Sequence, residues 1–243
     1  MKFLLNSKLF CILIFLVAGQ TSLTLALPQD ITRELDGLPS KLPVGETAVI
    51  VVDLQNDFTE AGKGSLPVSG TDNDYVLCVG EATKILKDRG YGIYATQDWH
   101  PSGHVSHAAT HKLDPFTLHK GEMVWPIHCV QGSRGAEILL PPDLDYTVVQ
   151  KGTSKDFDSY SGFKDNNGDK TQLEQLLKQK GIKNLIVYGI ATDYCVQATV
   201  LDALACGFSV YVLDHLSRGV NSNATENALK KMKSSGAVII PDI

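Results

Sequence analysis

Six short runs of β-branched and apolar residues, separated by stretches with helical patterning, constrain this chain more than any other feature. The strongest are Ala48-Val49-Ile50-Val51-Val52, Tyr146-Thr147-Val148-Val149 and Leu185-Ile186-Val187-Tyr188. Tyr91-Gly92-Ile93-Tyr94-Ala95-Thr96-Gln97 and residues 208–213 and 237–240 read the same way. Helices are expected over residues 72–89, over 171–180, from near Cys195 to Gly207, and over 224–234, several of them closed by glycine. Thr171-Gln172-Leu173-Glu174 has the capping-box pattern. Strand–helix alternation of this kind implies an α/β fold: three αβα layers around a six-stranded, mostly parallel sheet. The segments 55–71, 101–142 and 152–169 are expected to be irregular, and a loop as long as the second is usually functional.

The first residues read as targeting sequence rather than domain. Lys2 and Lys8 form a basic start, residues 9–18 are apolar, and Thr24-Leu25-Ala26 suits a signal-peptidase cut. We therefore expect a signal peptide over 1–26, an irregular lead-in over 27–46 broken by prolines and glycines, and one folded domain over 47–243. An uncleaved anchor, or no export, is the alternative to cleavage. The expected destination is periplasmic or secreted, with no stable membrane association after cleavage. The net charge of −5 and the absence of a basic stripe argue against a nucleic-acid partner. Of the five cysteines, Cys11 leaves with the signal. Cys78 and Cys206 lie in apolar helical patterns, as buried small hydrophobes do. Asn223-Ala224-Thr225 matches a glycosylation sequon, which matters only in a eukaryotic secretory pathway.

Three chemically capable residues stand just past the ends of predicted strands: Asp53, Lys151 and Cys195. Ligands of open parallel sheets bind outside the carboxyl ends of the strands, so a carboxylate, an ammonium and a thiol can meet there. Cys195 is placed at a helix start, where the dipole lowers a thiol pKa and free N–H groups can hold an oxyanion. Asp53 suits a general base and Lys151 a cation that orients it. Taken singly, each reads equally as a buried small residue, a loop carboxylate or a surface lysine; their convergence on one edge is what carries weight. His215, after the fifth strand, is the rival base. Asp98 and His100 follow the second strand, and His104, His107, His111, His119 and His128 follow in the long loop. Imidazoles with a carboxylate suit zinc, iron or manganese, although a His-rich loop can also bind metal adventitiously.

These motifs resemble a family. Val52-Asp53-Leu54-Gln55-Asn56-Asp57-Phe58, Gln97-Asp98-Trp99-His100-Pro101, Val124-Trp125-Pro126-Ile127-His128-Cys129-Val130, Gln150-Lys151-Gly152, Asp158-Ser159-Tyr160-Ser161-Gly162-Phe163 and Gly189-Ile190-Ala191-Thr192-Asp193-Tyr194-Cys195-Val196 stand in the order of the nicotinamidase branch of the isochorismatase-like cysteine hydrolases. The resemblance implies a catalytic triad of Asp53, Lys151 and Cys195. It implies metal ligands Asp98, His100 and His128, and a substrate wall of Phe58, Trp125 and Tyr160. It also implies a cis peptide at Ile190–Ala191, with the N–H groups of Ala191 and Cys195 as an oxyanion hole. The implied cofactor is one divalent metal ion, zinc first, with iron and manganese as alternatives. The implied reaction hydrolyses nicotinamide, and also pyrazinamide, to the acid and ammonia through a Cys thioester, with a role in NAD salvage. The implied partner is the small-molecule substrate, and homo-oligomers are compatible with this. The alternatives are another hydrolase of the superfamily, acting on a carbamoyl compound or on isochorismate, and an exported metal-binding protein without catalysis.

Overall fold

The computed structural model describes Leu35, Leu38 and residues 42–240. The expected signal peptide, Cys11 and most of the lead-in lie outside the described residues. Six parallel strands form the main sheet: β1 (Thr47–Val52), β2 (Gly92–Asp98), β5 (Thr147–Lys151), β6 (Asn184–Gly189), β7 (Ser209–Leu213) and β8 (Val238–Ile240). Their order is β5-β2-β1-β6-β7-β8. The α-helices wholly within the described residues are α1 (Asn73–Asp88), α2 (Leu173–Gln179), α3 (Gln197–Ala205) and α4 (Ser222–Ser234).

The two-residue period of β1 explains the layers. Val49 and Val51 pack with Val79, Ala82 and Leu86 of α1 on one face. Ala48, Ile50 and Val52 pack with α2 (Leu173, Leu177), α3 (Val200, Ala203) and α4 (Met232) on the other. A strand buried on both faces reads as a continuous apolar run, as β1 does. From β1 the chain winds outward to β2 and β5, then returns to β6 on the opposite side. Strand order therefore reverses between β1 and β6, and a crevice opens past their carboxyl ends.

Away from the strand ends that carry the reactive groups, four sequence-based expectations are corrected. First, the expected lead-in contributes Leu35, Leu38 and Leu42 to the core. The Leu42 carbonyl accepts the Tyr91 hydroxyl at 3.2 Å. Second, the 101–142 segment contains a small antiparallel hairpin, β3 (Thr117–His119) and β4 (Glu122–Val124), turning at Lys120 and Gly121. Strands of three residues are too short to show a period. Third, no capping box forms at α2. The Thr171 hydroxyl donates to Gly162 O at 2.6 Å, and Glu174 pairs instead with Lys170 and Lys178 at 2.8 and 2.6 Å. Fourth, Cys78 and Cys206 are partly exposed rather than buried, and none of the four described cysteines is in a disulfide.

Gly189 ends β6 at φ 131°, a conformation other residues rarely adopt, and a Cβ there would stand 2.2 Å from Val52 O. Gly189→Ala is expected to destabilise the protein by about 3 kcal/mol, measured by urea unfolding, because strand backbone cannot move aside.

Candidate active site

Three strand ends bring the predicted groups together. Asp53 follows β1, Asp98 ends β2, and Lys151 ends β5 as the register partner of Asp98. Cys195 comes from the segment after β6. It lies inside a π-helical turn, Thr192–Val196, one turn before α3 rather than at the start of an α-helix. Lys151 is the hub, with 1% of its surface exposed. Its ammonium donates to Asp98 Oδ1 at 2.5 Å, to Ser159 O at 2.8 Å and to Cys195 Sγ at 3.4 Å. Three N–H bonds thus meet three acceptors. Asp53 Oδ2 lies 2.9 Å from the same nitrogen as an ion pair, outside hydrogen-bonding alignment. Oxygens of Asp53 and Asp98 and the sulfur of Cys195 all fall within 4.8 Å of one another.

The electrostatics follow from burying one cation among three acids. Burial raises the Asp53 carboxyl, only partly offset by Lys151. Burial works the same way on Asp98, but Lys151 and His100 outweigh it and hold that carboxyl well below the usual range. Lys151 is raised despite burial because Asp53, Asp98 and Cys195 surround it. The Cys195 thiol is pushed far up, by burial first and then by Asp53 and Asp98, with only Lys151 opposing. This corrects the expectation of a thiol lowered by a helix dipole: desolvation inside the turn dominates. Burial thus favours the protonated forms of Cys195 and Asp53, while Lys151 favours the charged form of Asp98.

Asp98 also faces a second cluster through its other oxygen. His100 Nδ1 meets Gly152 O at 2.9 Å and His128 Nδ1 meets Pro126 O at 2.8 Å. Facing a carbonyl, each Nδ1 carries the proton, which leaves Nε2 as a lone pair. His100 Nε2 is buried with no hydrogen-bond partner, and Asp98 Oδ2 stands 3.5 Å from it. Two donors at that separation suit two bonds of about 2 Å to one ion. Donor atoms of Asp98, His100 and His128 lie within 4.8 Å of one another, so the residues present fit a divalent metal. Burial and His100 lower His128 to about 3, keeping it in the neutral, ligating form. Burial disfavours a proton on His100, yet Asp98 raises its pKa, so this pocket attracts positive charge. His104 stacks on His100 with ring centroids 4.0 Å apart. Its Nδ1 accepts the Ser106 N–H at 3.2 Å and its Nε2 faces Phe157 O at 3.2 Å, so both nitrogens are engaged. His111 and His119 stack on each other away from this cluster.

Both clusters border one cavity at this edge of the sheet. Phe58, Trp125 and Tyr160 line it, as do Asp98, His128, Ala191 and Cys195. The Trp125 indole N–H donates to the Tyr160 hydroxyl at 3.2 Å. The Ile190–Ala191 peptide is cis. His215 does not line the cavity. Sequence reasoning missed Tyr194, whose ring lies edge-on to Trp125 at 5.1 Å, and Asp158, both of which line the cavity. It also missed two residues that hold the carboxylates. The Thr96 hydroxyl donates to Asp53 Oδ1 at 2.6 Å and accepts the Asp53 N–H at 3.1 Å. The Gln55 amide clasps the peptide of Asp98, donating to its carbonyl at 2.9 Å and accepting its N–H at 2.8 Å. Gln55 stood inside a quoted motif, and only its contacts reveal its task.

Comparison with known proteins decides the family. The isochorismatase domain matches residues 47–241. The chain belongs to the isochorismatase family. Among family members, the nicotinamidase of Escherichia coli (strain K12) is 40% identical over 200 residues, covering 78% of this chain and 91% of the relative. A solved Acinetobacter baumanii nicotinamidase and pyrazinamidase is 34% identical with a TM-score of 0.73, covering 83% of this chain and 98% of its own. The pyrazinamidase of Pyrococcus horikoshii, solved in complex with zinc, is 38% identical with a TM-score of 0.68, covering 80% of this chain and 98% of its own.

In this family member Lys151 balances two buried carboxylates. Lys151→Met is expected to cost about 3–5 kcal/mol in urea unfolding, because it leaves Asp53 and Asp98 buried without their cation.

Proposed function

We propose that the chain is an amidohydrolase, a nicotinamidase that converts nicotinamide to nicotinate and ammonia and also accepts pyrazinamide. The observation that carries this reading is the buried Lys151 ammonium, shared by Asp53, Asp98 and Cys195, of which Asp98 and Cys195 line an aromatic cavity beside a carboxylate–histidine cluster. The nicotinamidase relatives support it.

In the proposed mechanism Phe58, Trp125 and Tyr160 clasp the flat pyridine ring. The Cys195 thiol passes its proton to Asp53, whose raised pKa makes it an effective base. This transfer exchanges a carboxylate for a thiolate and leaves the net charge of the buried cluster unchanged. Lys151, already donating to Sγ, holds the thiolate as it forms. The sulfur attacks the carboxamide carbon, and the backbone N–H groups of Ala191 and Cys195 stabilise the oxyanion. Protonated Asp53 then donates to the departing ammonia, leaving a thioester. Asp53 next takes a proton from water, whose hydroxide attacks the thioester; as the sulfur leaves, Asp53 returns that proton to it, and the freed acid ionises to nicotinate.

Asp98, His100 and His128 would hold a divalent ion, zinc in our reading, which supplies a Lewis acid for the pyridine nitrogen and so fixes the ring's orientation. The basic and apolar start of the chain supports export, which would place nicotinamide turnover outside the cytoplasm and return nicotinate to NAD salvage.

The test is ammonia release from nicotinamide by the purified mature chain, before and after chelation. Release that chelation abolishes and zinc restores is the expected result; none from a folded, reduced and metal-loaded protein would sink the reading. Cys195→Ala is expected to lower turnover on the order of a thousandfold or more while leaving metal content unchanged.

A further inference from the structure

Both histidines of the proposed metal site depend on one braced residue, Cys129. His128 immediately precedes it, and its carbonyl accepts the backbone N–H of His100 at 2.9 Å. Cys129 has φ 46°, a left-handed conformation that a non-glycine residue keeps only when its surroundings enforce it. The enforcing contact comes from Asp57, whose Oδ2 accepts the Cys129 N–H at 2.7 Å. Asp57 Oδ1 accepts the Ser65 N–H at 3.2 Å, so both carboxylate oxygens are engaged. Gly135 packs so closely that a Cβ there would stand 1.9 Å from Asp57 Oδ2, which confines the carboxylate. The adjacent Phe58 places its ring against that of His128, with centroids 5.5 Å apart.

We infer that Asp57 is a positioning residue for the metal: by holding Cys129 in its left-handed conformation, it sets the spacing of His100 and His128 around Asp98. It acts through Cys129 and contacts neither the ion nor the substrate. This inference rests on the reading of Asp98, His100 and His128 as metal ligands. The competing account is that Asp57 merely closes its own loop through Ser65, which would affect folding stability and leave metal affinity unchanged.

The experiment measures zinc affinity by competition with a chromophoric chelator. It uses metal-stripped wild type, Asp57→Ala, Asp57→Asn and His128→Ala, each also melted in the metal-free state. Asp57→Ala is expected to bind zinc at least about tenfold more weakly, the usual cost of losing an orienting partner behind a ligand. Asp57→Asn keeps an amide oxygen for Cys129 and gives up only the longer, exposed Ser65 contact, so it is expected to stay within about threefold of wild type. Should Asp57→Ala fail to melt cooperatively, Asp57→Ser carries the same expectation, because its hydroxyl is too short to reach Cys129. Wild-type affinity in the Ala or Ser variant, with binding lost in His128→Ala, overturns the role of Asp57 and leaves the metal reading standing. Wild-type affinity in His128→Ala overturns the metal reading, and this inference with it.

Discussion

One fully buried ammonium organises this protein's chemistry. Lys151 is withdrawn from water, which is costly for a cation unless anions and hydrogen-bond acceptors replace its hydration. Asp98, Asp53, the Ser159 carbonyl and Cys195 supply that replacement. Each partner arrives from a different stretch of chain, so the lysine also fixes how the ends of β5, β2 and β1 and the turn after β6 sit relative to one another. The same lysine sets the protonation pattern: it holds Asp98 ionised, while Asp53, buried and less well compensated, remains proton-hungry.

Asp98 is what makes the two halves of the site one unit. One of its oxygens belongs to the lysine and the other faces His100. Its place is fixed twice: by strand register opposite Lys151, and by the Gln55 amide that clasps its peptide. A site that accepts a proton at one end and positive charge at the other is thus held on rigid strand ends. The long β2–β5 connection adds His128 and Trp125. Precise placement of few polar groups against an apolar wall is what small-molecule recognition requires.

Much of this was legible in the chain. The six apolar runs became six parallel strands, and Asp53, Lys151 and Cys195 do meet, because chemistry at the ends of parallel strands must share one edge. The hairpin from Thr117 to Val124 was not legible, since two strands of three residues carry no readable period. The capping box at Thr171 does not close because its hydroxyl accepts the Leu173 N–H instead of that of Glu174, whose side chain turns to Lys170 and Lys178.

The sequence by itself determined the layered α/β order, the strand ends that carry reactive groups, and which residue types converge there. These follow from local periodicity and from the rule that places ligands past the carboxyl ends of parallel strands. Only the tertiary structure decided the state of the groups. The dipole at a predicted helix start would have lowered the Cys195 thiol, yet its burial in a π-helical turn beside Asp53 and Asp98 raises it. Thr96 is 43 residues from the Asp53 it orients, and Asp57 is 72 from the Cys129 it braces. Desolvation and hydrogen bonding depend on which distant segments fold against a group, and that is information a linear pattern does not hold.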